Sequence, residues 1–215
     1  MSEQTTNATT KTKILSTRKL VSTAMLSAVA FVLMYIEFSI PIVPAFIKFD
    51  LSDLPAVVGA FALGPVYGVI IELVKNVLHL VVSQSMFIGE LSNFILGAVF
   101  TCTAGFIYQL KKTKSNAIIA GISGAIVMGI VSIISNYFLV YPVYVAVFFG
   151  GDVNICVGMY DAISSGLLHI GHVTTLMQCL VFFNLPFTVI KGLISVVITM
   201  FIYKPLSRIM KGQEV

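Results

Sequence analysis

Long apolar, uncharged runs separated by short charged links dominate this chain. The first extends from Leu20 to Ile36. With its flanks it is long enough to cross roughly 30 Å of hydrocarbon. Pro41 and Pro44 then break the helix, and Lys48, Asp50 and Asp53 keep the following segment polar. Ser52 or Asp53 is placed to cap a second helix that carries Pro55 in its first turn. That helix meets Gly64 and Pro65, read as a tight turn, and a third helix runs from about Val66 to Val82. Residues 83–90 form a polar link, and Leu91 to Leu110 form a fourth span. The fifth runs from Asn116 to about Val140, with Gly121, Gly124, Ala125 and Gly129 allowing close helix approach. Pro186 opens the sixth. Between them, 145–185 is apolar overall yet holds Gly150, Gly151, Asp152, Asp161, His169 and His172. It reads as a partly helical outer segment.

Composition converts these runs into a class. The 215 residues are 58% hydrophobic and only 10% charged, where a soluble domain carries about a quarter charged residues. The fold class is therefore an all-α polytopic membrane protein, and composition excludes a soluble enzyme. Basic residues cluster at Lys11, Lys13, Arg18 and Lys19, at Lys111, Lys112 and Lys114, and at Lys204, Arg208 and Lys211. Cytoplasmic links are enriched in Lys and Arg. All three clusters fit a six-transmembrane-helix bundle with N and C termini cytoplasmic. The net charge of +4 sits in these clusters and does not indicate nucleic acid. Residues 1–17 read as a disordered cytoplasmic tail and 18–211 as one membrane domain, with outer loops 38–53 and 145–185. No small-residue cleavage site follows a short apolar core, so the first helix reads as retained.

Polar groups inside the apolar runs carry the candidate chemistry. Lys191 is the only formal charge between Asp161 and Lys204. An ammonium inside a span costs a few kcal/mol unless it meets a polar partner or a cavity. Its sequence neighbours are Thr188 and apolar groups, so the partner comes from another helix, from water or from a ligand. Two readings stand: the floor of a binding pocket, or a purely structural pair with an acid such as Glu72. Glu72, Lys75, Asn76 and His79 recur at i, i+3, i+4 and i+7 and so share one helix face. Such a stripe pairs internally, lines a cavity, or both. Asn136 is followed by Tyr137, Tyr141 and Tyr144, a setting suited to a flat ring. Ala24 and Ala28, with Ser27 and Ala30 nearby, form a small-residue strip for close contact with another helix, inside or outside the bundle. Cys102, Cys156 and Cys179 share no metal-like spacing, and no phosphate-binding loop or nucleophile elbow appears. His169 and His172 lie three apart without the Glu of a metalloprotease helix. No metal site and no cofactor are expected.

Several blocks resemble the riboflavin-specific S component of energy-coupling factor (ECF) transporters. They are Phe46 to Pro55, Gly64 with Pro65, Ile71 to His79, Asn93 and Phe94 with Gly97, Asn136 to Phe138 with Pro142, and Pro186 and Phe187 with Lys191 and Gly192. The resemblance covers roughly 18–210. It implies six helices, a substrate pocket near the outer face, and a covering loop between the first two helices. It also implies partners: a transmembrane coupling protein and two ATPases, in the lipid bilayer. In that family the flavin ring edge is held at positions that map to Asn136, Thr188 and Lys191. The family carries Asn where Thr188 stands, and Thr keeps a donor and an acceptor without the amide's paired geometry. Lys75, Asn76 and Asn93 are candidates for the ribityl hydroxyls, and Tyr137 for the ring body. Ala24 and Ala28 resemble the strip offered to the coupling protein. The reading is a non-enzymatic, membrane-embedded riboflavin-binding subunit of an ATP-driven uptake transporter. Alternatives are an S component for another vitamin or a flavin nucleotide, an intramembrane enzyme using His169, His172 and Asp161, or a structural subunit without ligand.

Overall fold

The computed structural model describes residues 17–211, with side chains through residue 202. The proposed tail up to residue 16, with Lys11 and Lys13, lies outside the described residues. Among the described residues nine α-helices follow in order: α1 (Thr17–Tyr35), α2 (Asp53–Ala62), α3 (Pro65–His79), α4 (Ile88–Leu110), α5 (Lys114–Ser135), α6 (Tyr141–Phe148), α7 (Val153–Asp161), α8 (Leu176–Cys179) and α9 (Leu185–Lys211). The chain is a helical membrane bundle built on α1 to α5 and α9.

The short α2 organises it. Every residue from Asp53 to Phe61 is buried, and α2 packs against α1, α3, α4 and α9. Its 10 residues reach only about 15 Å at ~1.5 Å per residue, half of a bilayer core. Below it, one core cluster joins Val57 and Phe61 to Phe100, Ala104, Tyr108, Ala117 and Met128. Leu54, Ala56 and Val58 pack on Leu26, Ala30 and Ile71 at its side. Two short antiparallel strands, β1 (Phe38–Ser39) and β2 (Lys48–Phe49), precede α2 and pair in the register Phe38↔Phe49, Ser39↔Lys48.

Among the described residues, Lys19 and the end of α4 that leads to the 111–114 basic cluster meet the α2–α3 turn at one end of the bundle. Lys19 Nζ lies 5.5 Å from the centre of the Tyr67 ring, just past the α2–α3 turn. Gly105, near the end of α4, abuts Pro65. Ile202 of α9, like Ala62 and Leu63, packs against the buried cluster that contains Leu26, Val58 and Ile71. Gly64 makes the α2–α3 turn with φ 122°, a conformation that favours glycine, and Pro65 opens α3.

Four expectations about element boundaries need correction. Residues 38–53 hold the β1–β2 pair as well as loop. The polar link is shorter than expected: α4 begins at Ile88, which brings Glu90 into its first turn. The fifth helix does not end near Val140. A wide, π-type turn at Asn136–Val140 leads directly into α6, so the helical run lasts from Lys114 to Phe148. Likewise Pro186 does not open the last helix, because α8 and a second wide turn at Leu180–Asn184 feed straight into α9. Pro at the second residue of α6 and of α9 lacks only an N–H that the wide turns already leave loosely engaged. Ser52 precedes α2 without a side-chain cap bond, because its hydroxyl is used by Asp50 and Lys75.

Candidate functional site

A cavity of about 490 Å³ occupies the space above α2. Deep in it, Lys191 of α9 is held by two carboxylates. Its Nζ donates to Asp50 Oδ2 at 2.9 Å and lies 3.4 Å from Asp53 Oδ2. Asp50 Oδ1 in turn accepts from the Ser52 N–H at 2.8 Å and from the Ser52 hydroxyl. The Lys191 side chain remains 12% exposed, so the ammonium borders the cavity instead of vanishing into packing. Its partners come from the β2–α2 link and from α2 itself, not from Glu72.

Glu72 pairs with Lys75. Lys75 is fully buried, with Asp53 Oδ1 at 2.6 Å, Glu72 Oε2 at 2.7 Å and Ser52 Oγ at 2.7 Å. The stripe of α3 therefore faces inward, as its spacing implied, and Glu72, Lys75, Asn76 and His79 are all buried. Two of the expected substrate contacts on it need correction. Lys75 and Asn76 are absent from the cavity wall. Lys75 donates to Asp53 and Ser52 and is ion-paired with Glu72, and Asn76 Nδ2 donates to the Glu72 carbonyl at 2.8 Å. Tyr137 is also corrected. It is 37% exposed on the outside of the bundle, edge-on to Phe138 at 5.0 Å, because the wide turn rotates Asn136 inward and its neighbour outward.

Asn136, Thr188, Lys191 and Asn93 do line the cavity. Asn136 and Thr188 are buried. The apolar walls are Phe46 from the β1–β2 connection, Tyr141 and Tyr144 from α6, and Phe187 from α9. Phe46 sits 5.1 Å from Tyr144 and 6.1 Å from Tyr141, ring centre to ring centre. Tyr141, Tyr160 and Asn184 close a ring of hydrogen bonds: Tyr160 donates to Asn184 Oδ1 at 2.7 Å, Asn184 Nδ2 donates to Tyr141 Oη at 2.9 Å, and the two hydroxyls are bonded. This ring ties α6, α7 and the entry to α9 together beside the cavity. His79, Ser85, Glu90 and Ser92 also line the cavity.

Sequence reasoning missed Asp50, Glu90, Asn184 and Phe46 as cavity residues. Asn184 had a signal, since 184, 188 and 191 fall on one helix face at i, i+4 and i+7. Asp50 and Phe46 lay inside the first resembling block. Glu90 had none, because it was assigned to a link.

The groups weighed for catalysis stand elsewhere. His169 bonds the Ser165 carbonyl at 3.0 Å, and His172 Nδ1 lies 3.1 Å from Asp161. The His172 hydrogen bond, helped by the Val173 N–H, holds the half-buried Asp161 carboxyl below the usual carboxylate range. None of the three lines the cavity. Ala24 and Ala28 are exposed on α1, whereas Ser27 and Ala30 are buried. Two of the four small residues thus face outward and two pack inside.

With this geometry in hand, comparison with known proteins is decisive. The family "ECF transporter, substrate-specific component" matches residues 18–203. The chain belongs to this family. Riboflavin transporter RibU of Staphylococcus aureus is 33% identical over 205 residues, covering 95% of this chain and 98% of the relative. Riboflavin transporter FmnP of Bacillus subtilis is 35% identical over 130 residues, covering 59% of this chain and 68% of that protein. A solved structure described as the S component of a bacterial ECF transporter aligns with TM-score 0.68 at 34% identity, covering 91% of this chain and 98% of that one. As an ECF S component with several apolar spans, the chain is a multi-pass cell-membrane protein. Its family transports and is not a family of enzymes.

Proposed function

We propose that this chain is the riboflavin-binding S component of an ATP-driven ECF uptake transporter. The observation that carries the reading is one cavity in which a half-buried ammonium, a buried amide and a buried hydroxyl (Lys191, Asn136, Thr188) meet aromatic walls. An isoalloxazine needs that combination. Its flat body packs on Phe46, Tyr141, Tyr144 and Phe187. Its uracil-like edge offers carbonyls to Lys191 and a donor–acceptor pair to Asn136. The volume falls within the range of roughly 300–1,000 Å³ usual for small-molecule sites. The names of the relatives support the same ligand.

Substrate enters from the side of β1–β2 and is released inside after a partner assembly reorients the bundle. That assembly consists of a transmembrane coupling protein and two ATPases, and the exposed Ala24 and Ala28 on α1 are the proposed contact for the coupling protein. The chain itself acts as a binder, with no cofactor of its own.

Titrating the purified protein with riboflavin tests the proposal. Stacking against the aromatic wall should quench flavin fluorescence saturably, at ligand concentrations on the order of micromolar or below. A signal that never saturates would refute it.

A further inference from the structure

Phe187 borders a second cavity as well, of about 480 Å³. The other walls come from β2 (Phe49), the 168–170 segment (Ile170), the second wide turn (Phe182) and α9 (Ile190, Ile194). Phe49 meets Phe187 edge-on, with ring centres 6.2 Å apart. Every residue lining this cavity is apolar. Ile170, Phe182 and Ile190 are each more than half exposed, so it is a groove open to the outside of the bundle. Its height in the membrane follows from α9, whose basic residues, from Lys204 on, mark the cytoplasmic end. Ile194 stands about 15 Å above Lys204 at ~1.5 Å per residue, the middle of a hydrocarbon core of roughly 30 Å. Phe182 stands about 18 Å higher still. The groove therefore follows the outer leaflet from its midplane to its interface.

We infer that this groove is a lipid site that seats one acyl chain of an outer-leaflet phospholipid. Three physical arguments select that occupant. A polar ligand would find no side-chain donor or acceptor on these walls and would lose its hydrogen bonds to water without replacement. A transmembrane helix of another protein, or of a second copy, approaches closely over small residues. Here the walls are Phe, Ile, Val, Leu and Pro, which hold a helix backbone away. A flexible hydrocarbon chain matches the groove in length and bends to its shape. It also supplies the dispersion contacts that unfilled walls forfeit. A concave wall touches such a chain on several sides, whereas the exposed flank of α5 touches lipid on one. The seated chain stands against Phe187, whose ring also walls the first cavity.

The sequence contains no Trp, so a single introduced indole reports alone. Phe182→Trp places it in the groove. Phe138→Trp is the control: it lies in the first wide turn, is exposed, and lines neither cavity. Each full-length variant, purified in detergent micelles, is titrated with a phosphatidylcholine brominated on its acyl chain, which quenches an indole that it touches. Phe182→Trp should be quenched saturably, at least about twofold more strongly than Phe138→Trp at low lipid-to-protein ratio. Unbrominated phosphatidylcholine should reverse that difference by competition. Equal quenching of both variants at every ratio would mean that lipid is only a solvent here, and would overturn the inference. An unquenched Phe182→Trp in a protein that light scattering shows to be dimeric would place a second copy on the groove, and would overturn it too. Should Phe182→Trp fail to fold, Ile190→Trp in the groove is read against Ile130→Trp on α5. Those two positions are matched in exposure, at 52% and 53%. Riboflavin takes no part in these measurements, so their outcome is separate from that of the flavin titration.

Discussion

Lys191 combines two jobs that substitution separates. It is the cation that keeps Asp50 paired inside the bundle, and it is the proposed donor to the ligand. Replacing it by Met leaves Asp50 with only Ser52 as partner. Stranding a buried carboxylate costs about 3–5 kcal/mol. We expect Lys191→Met to lower the thermal midpoint clearly and to abolish high-affinity binding. Adding Asp50→Asn should restore most of the stability and none of the affinity, because the orphaned charge is gone but the donor is still missing. Thermal scans with and without riboflavin read both effects; recovery of binding in the double variant would show that Lys191 only supports the scaffold. At this scale the cation was legible from its isolation in an apolar run. Its partner was not, because Asp50 lies 141 residues earlier and only folding brings the two within 2.9 Å.

Helices α5 and α9 meet along a seam of small residues. Gly121 receives Val196, Gly129 receives Val189 and Leu185, and Gly192 receives Ala125 and Met128. A Cβ at Gly129 would come within 2.6 Å of Val189 Cγ2, so a branched side chain must push the helices apart. That seam sets how Asn136 at the end of α5 stands relative to Thr188 and Lys191 on α9. Gly129→Leu should therefore destabilise by roughly 1–3 kcal/mol and also weaken riboflavin binding, although Gly129 is not among the cavity-lining residues. Loss of stability with unchanged affinity would argue against this coupling. The spans themselves were readable from apolar runs, because hydrocarbon demands about 20 such residues. The wide turns at Asn136–Val140 and Leu180–Asn184 were not, since one extra residue per turn leaves no trace in hydrophobic spacing. Yet those turns aim Asn136 inward, put Tyr137 outside and set Asn184 beside the cavity.

On the scale of the whole molecule, a half-length central helix creates the site. Because α2 stops at Asp53, the outer half of the bundle must be filled by β1–β2, α6, α7 and whatever the cavity holds. The lipid-facing side of α1 is separate from this. Leu20, Val21, Met25 and Val29 are exposed alongside Ala24 and Ala28. Replacing both alanines by Trp should leave riboflavin binding by the isolated protein intact while abolishing ATP-driven uptake by the assembled transporter. Uptake at the natural rate would place the coupling protein elsewhere. Replacing His169 and His172 by Ala should leave both binding and uptake close to normal, since neither ring reaches the cavity. A complete loss of function there would revive an enzymatic role.

The amino-acid sequence by itself determined the solvent this protein lives in, the approximate spans, their orientation, and the fact that Lys191 needed company. These follow locally, because a bilayer forbids unsatisfied polar groups and each run must answer for its own charges. Only the tertiary structure decided which charges neutralise one another. Lys75 and Lys191 are equally buried cations on paper. Asp53 and Glu72 consume the first entirely, while the second keeps one face toward an open cavity. That division depends on where α2 ends in space, which no spacing along the chain encodes.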